Sequence, residues 1–142
     1  MDLKVKILHP GAKLPTAATR GSVGLDLYLP EDFIFSRTVY TPGPCLIKIG
    51  IAVEIPYGYE GQIRGRSGRT IEGDFLVLIG TIDSDYRGEI GVAIMPLCHL
   101  RIAAGERVAQ LVVSPVTHCK AVRSDMLTET ARGGNGHGST GK

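Results

Sequence analysis

The sequence predicts an all-β domain, a sandwich or a barrel, on three observations. The apolar runs are short. Glycine and proline interrupt them throughout, with 19 Gly and 8 Pro in 142 residues. Helical periodicity is almost absent. Short β-rich runs between frequent turns are the pattern of sandwiches and barrels. A chain of this length fits one domain and buries roughly 70% of its unfolded surface, enough for a real core.

The elements follow in order. Leu3, Val5 and Ile7 alternate with Lys4 and Lys6, as in a half-buried strand, until His9-Pro10-Gly11. Residues 11–24 read as loop. Residues 25–29 alternate again up to Pro30, and residues 33–35 and 39–40 are short apolar runs. Thr41-Pro42-Gly43-Pro44 is a turn. Residues 45–49 and 51–55 are strands separated by Gly50, and Pro56-Tyr57-Gly58 turns the chain. Residues 60–66 read as a strand entering a loop over 65–70. Residues 75–79 form one continuous apolar strand, and residues 90–95 form another, stopped by Pro96. Residues 107–113 are a strand ended by Pro115, residues 117–122 a last short strand, and residues 124–129 one or two helical turns.

Several function classes are disfavoured. A net charge of +2 is too small to argue for nucleic acid or membrane, and no apolar run reaches membrane-spanning length. No repeat of solenoid period is present. Cys45, Cys98 and Cys119 have no CxxC spacing and read as free thiols of a reducing compartment. Cys98-His99 and His118-Cys119 are adjacent pairs, which point to opposite faces of a strand and do not readily chelate one ion. The opening Met1–Lys6 lacks a signal-peptide pattern, so a cytoplasmic location is expected, or a host-cell interior if the source is viral.

The stretch from Gly80 to Val92 carries the most chemistry. A strand end leads into Asp83-Ser84-Asp85-Tyr86-Arg87-Gly88, and a new strand follows. A turn that only reverses direction has no need of Tyr86 and Arg87 beside two carboxylates. An EF-hand loop fails, because its fifth ligand position is Arg87 and its twelfth is Ile94. A solvated β-turn and an active-site turn both remain open. In the active-site reading Asp83 orients a water and Tyr86 lies against a sugar or base.

The end of the chain differs. Five of its last ten residues are glycine, within Arg132-Gly-Gly-Asn-Gly-His-Gly-Ser-Thr-Gly-Lys142. Composition favours a disordered terminus. The other reading is an arm that orders over an anion, with glycine N–H groups close to phosphate oxygens.

Five segments together resemble the five motifs of the trimeric dUTP diphosphatases (dUTPases). They are Gly21–Leu27, Gly65-Arg66-Ser67-Gly68, the Asp83 turn, Gly105–Leu111 and the tail. The resemblance covers about Gly21 to Gly141, and the Asp83 turn and the Gly-Ser-Thr-Gly end are its most specific parts. It implies a single-domain jelly-roll β-barrel over residues 1–123. A flexible arm over 124–142 would close over a neighbouring subunit's active site in a homotrimer with shared sites. The implied reaction is dUTP plus water giving dUMP and diphosphate, with Mg²⁺ as cofactor. It would keep uracil out of DNA and supply dUMP for thymidylate synthesis.

The resemblance also implies roles. Asp83 positions and deprotonates the water that attacks the α-phosphorus. Gln110 binds an α-phosphate oxygen or holds that water. Arg66, Ser67, Gly68, Arg132, Gly138, Ser139 and Thr140 bind the phosphates. Asp26 reaches Mg²⁺ through water, the ion being held mainly by the triphosphate. Tyr86 packs on the deoxyribose and excludes a 2′-hydroxyl. Ile82 and the hairpin around 76–86 read uracil, and His137 caps the base. Asp85, Arg87 and Arg107 read as an ion pair that holds the turn.

Three departures from the family pattern bear on this. Arg69-Thr70 stand where Leu-Ala is usual, and the stretch 71–79 is short and lacks an asparagine before the third motif. His137 replaces a phenylalanine. Two alternatives follow. A dCTP deaminase of the same fold needs a glutamate in the strand after the third motif, and Ile90–Met95 has no carboxylate. A catalytically weak, nucleotide-binding regulatory trimer is the other.

Overall fold

The computed structural model describes residues 1–35 and 43–135. Its strands are β1 (Lys4–Ile7), β2 (Thr16–Ala17), β3 (Leu25–Tyr28), β4 (Phe33–Phe35), β5 (Cys45–Lys48) and β6 (Ile51–Glu54). They continue with β7 (Tyr59–Arg64), β8 (Phe75–Val77), β9 (Gly80–Ile82), β10 (Gly91–Pro96), β11 (Leu100–Ile102) and β12 (Arg107–Pro115). One short helix, α1 (Ser67–Glu72), interrupts them.

Among the described residues every pairing is antiparallel, in four sheets: β1-β6, β5-β10-β8, β11-β4 and β2-β3-β12-β7-β9. The alternation read in the sequence sets which face is inside. On β10, Val92 and Ile94 are buried while Gly91, Ala93 and Met95 lie on the other face. One apolar cluster joins the sheets, with Leu27, Ile51, Ile63, Phe75, Ile94, Ile102 and Leu111 among its buried members. The turn from β5 to β6 requires glycine: Gly50 has φ +72° and a Cβ there would lie 2.7 Å from the Cβ of His9. Asp32 ties the β4–β11 corner together. Its carboxylate accepts the Ala104 N–H at 2.9 Å and Arg101 at 3.2 Å, and these bonds hold it below the usual carboxylate range.

Several local expectations are corrected. The run 75–79 is not one strand. Leu78 still donates its N–H to Ala93 of β10, but Gly80 pairs with Ile63 of β7, so the chain changes sheets at Leu78-Ile79 and leaves Ile79 78% exposed. The expected loop over 65–70 is the entry to α1. Thr16–Ala17, read as loop, pairs with β3, and Leu100–Ile102 is a strand that no expectation covered. Residues 117–122 form no strand and 124–129 no helix; every residue from Thr117 to Asn135 is exposed. β12 ends at Pro115, and beyond it the chain pairs with no strand; the stacking of His118 on Tyr57 is a single ring contact and imposes no strand or helix. Val39 and Tyr40 lie outside the described residues.

Phe75 is 1% exposed although β8 is an edge strand of three residues. Phe75→Ala is expected to lower the unfolding free energy by about 3–5 kcal/mol in urea denaturation. A loss below about 1 kcal/mol would show that β8 is not anchored through this ring.

Candidate active site

The site begins with one row across the largest sheet. On β12, Gln110 stands opposite Asp26 of β3 on one side and Arg64 of β7 on the other. Directly opposed residues of antiparallel strands share a face at roughly 5 Å spacing. Asp26, Gln110 and Arg64 therefore face one cleft, of about 360 Å³, which Ser22, Gly24, Arg66, Ser67 and Gly68 also line.

Asp26 is the only buried charged residue among those described, 6% exposed. Arg66 Nε lies 2.8 Å from its Oδ1, and Arg107 Nη1 donates to Oδ2 at 3.2 Å. Arg107 reaches this face through a β-bulge. The register shifts between Arg107 and Ala109, so that Arg107 rather than Val108 opposes Tyr28. In unbroken alternation Arg107, three residues before Gln110, would point to the opposite face. The inserted residue turns it onto the Asp26 side and buries both Val108 and Ala109. Arg107 thus pairs with Asp26 rather than with the Asp83 turn, as the sequence reading had it.

Gln110 is fixed as well. Its Nε2 donates to the Gly65 carbonyl at 2.9 Å, and its Oε1 fills the space in front of Gly24, where a Cβ would lie 2.0 Å from it. In the sequence Gly24 reads only as a loop glycine within the Gly21–Leu27 segment, because only this packing contact reveals its role. Ser67 and Gly68 open α1 and are exposed, at the helix end where the first N–H groups have no intrahelical acceptors.

The Asp83 turn is a second unit. Tyr86 N–H donates to the Asp83 carbonyl at 3.1 Å, and the Tyr86 hydroxyl donates to the Glu89 carbonyl at 3.1 Å. Tyr86 is thereby held 46% exposed, and Gly88 is required beneath it, since a Cβ there would lie 2.3 Å from the phenolic oxygen. Arg87 braces the turn through backbone, donating to the Ser84 and Tyr86 carbonyls at 2.7 and 2.9 Å, rather than through Asp85. Glu89 anchors the far side by accepting the Gly50 N–H at 3.0 Å and pairing with Lys48 at 3.0 Å. Asp83 is exposed between two clefts. One, about 450 Å³, includes Ile82, Tyr86 and Gly91; the other, about 540 Å³, includes Glu60, Asp85 and the stacked rings of Tyr57 and His118.

One chain does not bring the two units together. Ile82 pairs with Gly61, so Asp83 sits near the start of β7, whereas Arg64 ends that strand roughly 13 Å further along. Asp83 and Gln110 line different clefts. Arg132 is exposed and its Nε donates to its own Asn135 carbonyl at 2.9 Å. His137, Gly138, Ser139 and Thr140 lie outside the described residues.

Comparison with known proteins identifies this arrangement. A dUTPase family profile matches residues 11–141. The chain belongs to the dUTPase family. Among its relatives, the deoxyuridine 5'-triphosphate nucleotidohydrolase of Anaplasma marginale is 47% identical, covering 98% of this chain and 99% of its own. That of Hydrogenobaculum is 44% identical, covering 99% of each. The dUTPase of Staphylococcus bacteriophage 80alpha, solved with dUPNHPP, superposes with a TM-score of 0.90 at 26% identity over 99% of both chains. The dUTPase barrel is therefore the jelly roll that the five motifs imply.

Gly24→Ala is expected to displace the Gln110 amide while sparing the fold, because the clash is with a side-chain end. Turnover should fall about 10–100-fold with little change in the thermal midpoint. Wild-type turnover in this variant would mean that the Gln110 position does not matter.

Proposed function

We propose that this dUTPase hydrolyses dUTP to dUMP and diphosphate at a site that two or more copies of the chain complete. The carrying observation is the split between the phosphate-type cleft of Asp26, Arg66 and Gln110 and the exposed Asp83–Tyr86 turn. Each half has the chemistry of one part of the reaction, and neither has both.

The cleft supplies cationic and amide donors for a triphosphate chain. Arg66, the Ser67 hydroxyl and the N–H groups that open α1 bind phosphate oxygens there, and Gln110 serves the α-phosphate. The turn supplies Asp83, which takes a proton from the water that attacks the α-phosphorus. Such a base acts only within hydrogen-bond reach of that water. Tyr86, tethered through its hydroxyl, presents a fixed ring face to the deoxyribose, where a 2′-hydroxyl would collide. Ile82 and the neighbouring backbone contact uracil. Arg132 and the Gly138-Ser139-Thr140 end close over the phosphates from another copy, with His137 on the base.

The residues present suit Mg²⁺ brought in on the triphosphate. No cluster of three ligating side chains exists among the described residues. Each Asp26 oxygen accepts from one guanidinium and keeps lone-pair capacity for a donor such as a metal-bound water. The ion, when bound, would neutralise charge on the phosphate oxygens.

Two surfaces support self-association into a trimer. The outer face of β5-β10-β8 carries Leu46, Leu76, Ala93 and Met95 side by side, with Leu46 67% exposed. Such a patch marks an interface. The segment after Val116 carries exposed Val122, Met126 and Leu127, consistent with an arm that packs on something other than its own barrel.

Diphosphate release with Mg²⁺ should be strong for dUTP and weak for UTP, dTTP and dCTP, with no ammonia from dCTP. Ammonia release would favour the deaminase alternative, and dUTP binding without turnover the regulatory one. Asp83→Asn should lower kcat about 10²–10⁴-fold with dUTP binding retained; near-normal turnover would remove Asp83 from the mechanism.

Light scattering should give three times the 15.2 kDa chain mass. Ala93→Glu should shift that mass toward the monomer and abolish turnover in parallel. A fully active monomer would refute the shared site.

A further inference from the structure

Arg64 stands in the phosphate-type cleft with no role in the reaction described above. We infer that Arg64 is a further phosphate-binding residue of this site, aimed by a side-chain ladder along β7. The inference rests on the reading that this cleft takes the triphosphate chain.

Three observations carry it. First, Arg64 closes the row of Asp26 and Gln110, on the same face and lining the same cleft. Second, its charge is uncommitted. Arg66 and Arg107 both sit on Asp26, whereas Arg64 has no carboxylate within 4 Å among the described residues. Third, the side chain is held in place. Gln62 Nε2 donates to Glu60 Oε1 at 2.6 Å, which turns Gln62 Oε1 toward Arg64. Arg64 then donates to that one oxygen from Nε at 3.0 Å and Nη2 at 2.5 Å.

The ladder uses the 60-62-64 alternation of one strand face. It occupies one edge of the guanidinium and leaves Nη1 with no acceptor among the described residues. An arginine with a fixed plane and free donors is suited to phosphate oxygens, where geometry counts as well as charge. Nothing in the core asks for it, since Arg64 is exposed. A merely solvated row of polar side chains would make the same ladder but would not affect ligand binding.

The test is titration of inorganic diphosphate with Mg²⁺ by calorimetry, together with dUTP kinetics, on the full chain and three variants. Arg64→Gln should weaken diphosphate binding about tenfold or more, the loss of one charge-assisted contact, and raise KM for dUTP by a similar factor. Its thermal midpoint should match wild type. Gln62→Leu keeps the charge and loses the aim, so it should raise KM about threefold with kcat nearly unchanged.

Arg66→Gln is the control for the cleft. If it loses diphosphate while Arg64→Gln binds it as wild type does, the role of Arg64 is overturned. If neither variant loses diphosphate, the phosphate reading of the cleft itself falls. A loss in Arg64→Gln matched by a drop in thermal midpoint would assign Arg64 a folding role and also overturn the inference.

Discussion

The buried carboxylate of Asp26 is the constraint on which the cleft depends. Two guanidiniums converge on it, from Arg66 after β7 and from Arg107 on β12. Without a negative charge between them they would repel each other and swing toward solvent. A charge taken out of water is costly, and removing an arginine partner leaves the buried Asp26 carboxylate undercompensated. That cost fixes geometry. Arg66 is held by its Nε on Asp26 at the edge of the cleft that it lines. Asp26 therefore has a structural duty independent of any ligand, and a substitution there disturbs both arginines.

β12 is the element that makes this arrangement rigid. It is the longest strand among the described residues, paired with β3 on one side and β7 on the other. Its inner face, through Leu111, is locked into the core, while its outer face carries Gln110. The bulge at Val108 shifts the phase by one residue, so that Arg107 and Gln110 work on the same side. A polar row backed by buried strands cannot drift as a loop can. This suits residues proposed to meet phosphate oxygens, where placement to within about half an ångström counts.

Much of this was legible in the sequence. Alternation gave the strands of the barrel, and the Asp83 turn and the Gly65–Gly68 segment were marked by polar residues that no turn requires. The parity of Glu60, Gln62 and Arg64 on one strand is also readable, but the place of Arg64 in the row is not, because its cross-strand partner Gln110 is 46 residues away in sequence and Asp26 lies beyond that on β3. The pairing of Arg107 with Asp26 was not legible. It depends on a one-residue bulge that sequence alternation conceals. The same holds for Leu78-Ile79, whose apolar character fits one buried strand but whose backbone bonds divide between two sheets. Gly24 became meaningful only once Gln110 was seen against it.

The separation of Asp83 from Gln110 has a chemical consequence. An exposed carboxylate on a lone chain is surrounded by bulk water and has no particular water to activate. On the proposed assembly a neighbouring copy brings phosphate donors to the Asp83 turn, and the arm covers the gap. The attacking water, the α-phosphorus and the base then share one enclosed volume, where fixed donors act more strongly than in bulk solvent. Each half of the site can be stiff on its own barrel because neither has to rearrange to meet the other. On that proposal catalysis is coupled to assembly: a chain that folds correctly but fails to associate would keep its Asp26 clamp and its tethered Tyr86, yet would have no complete site.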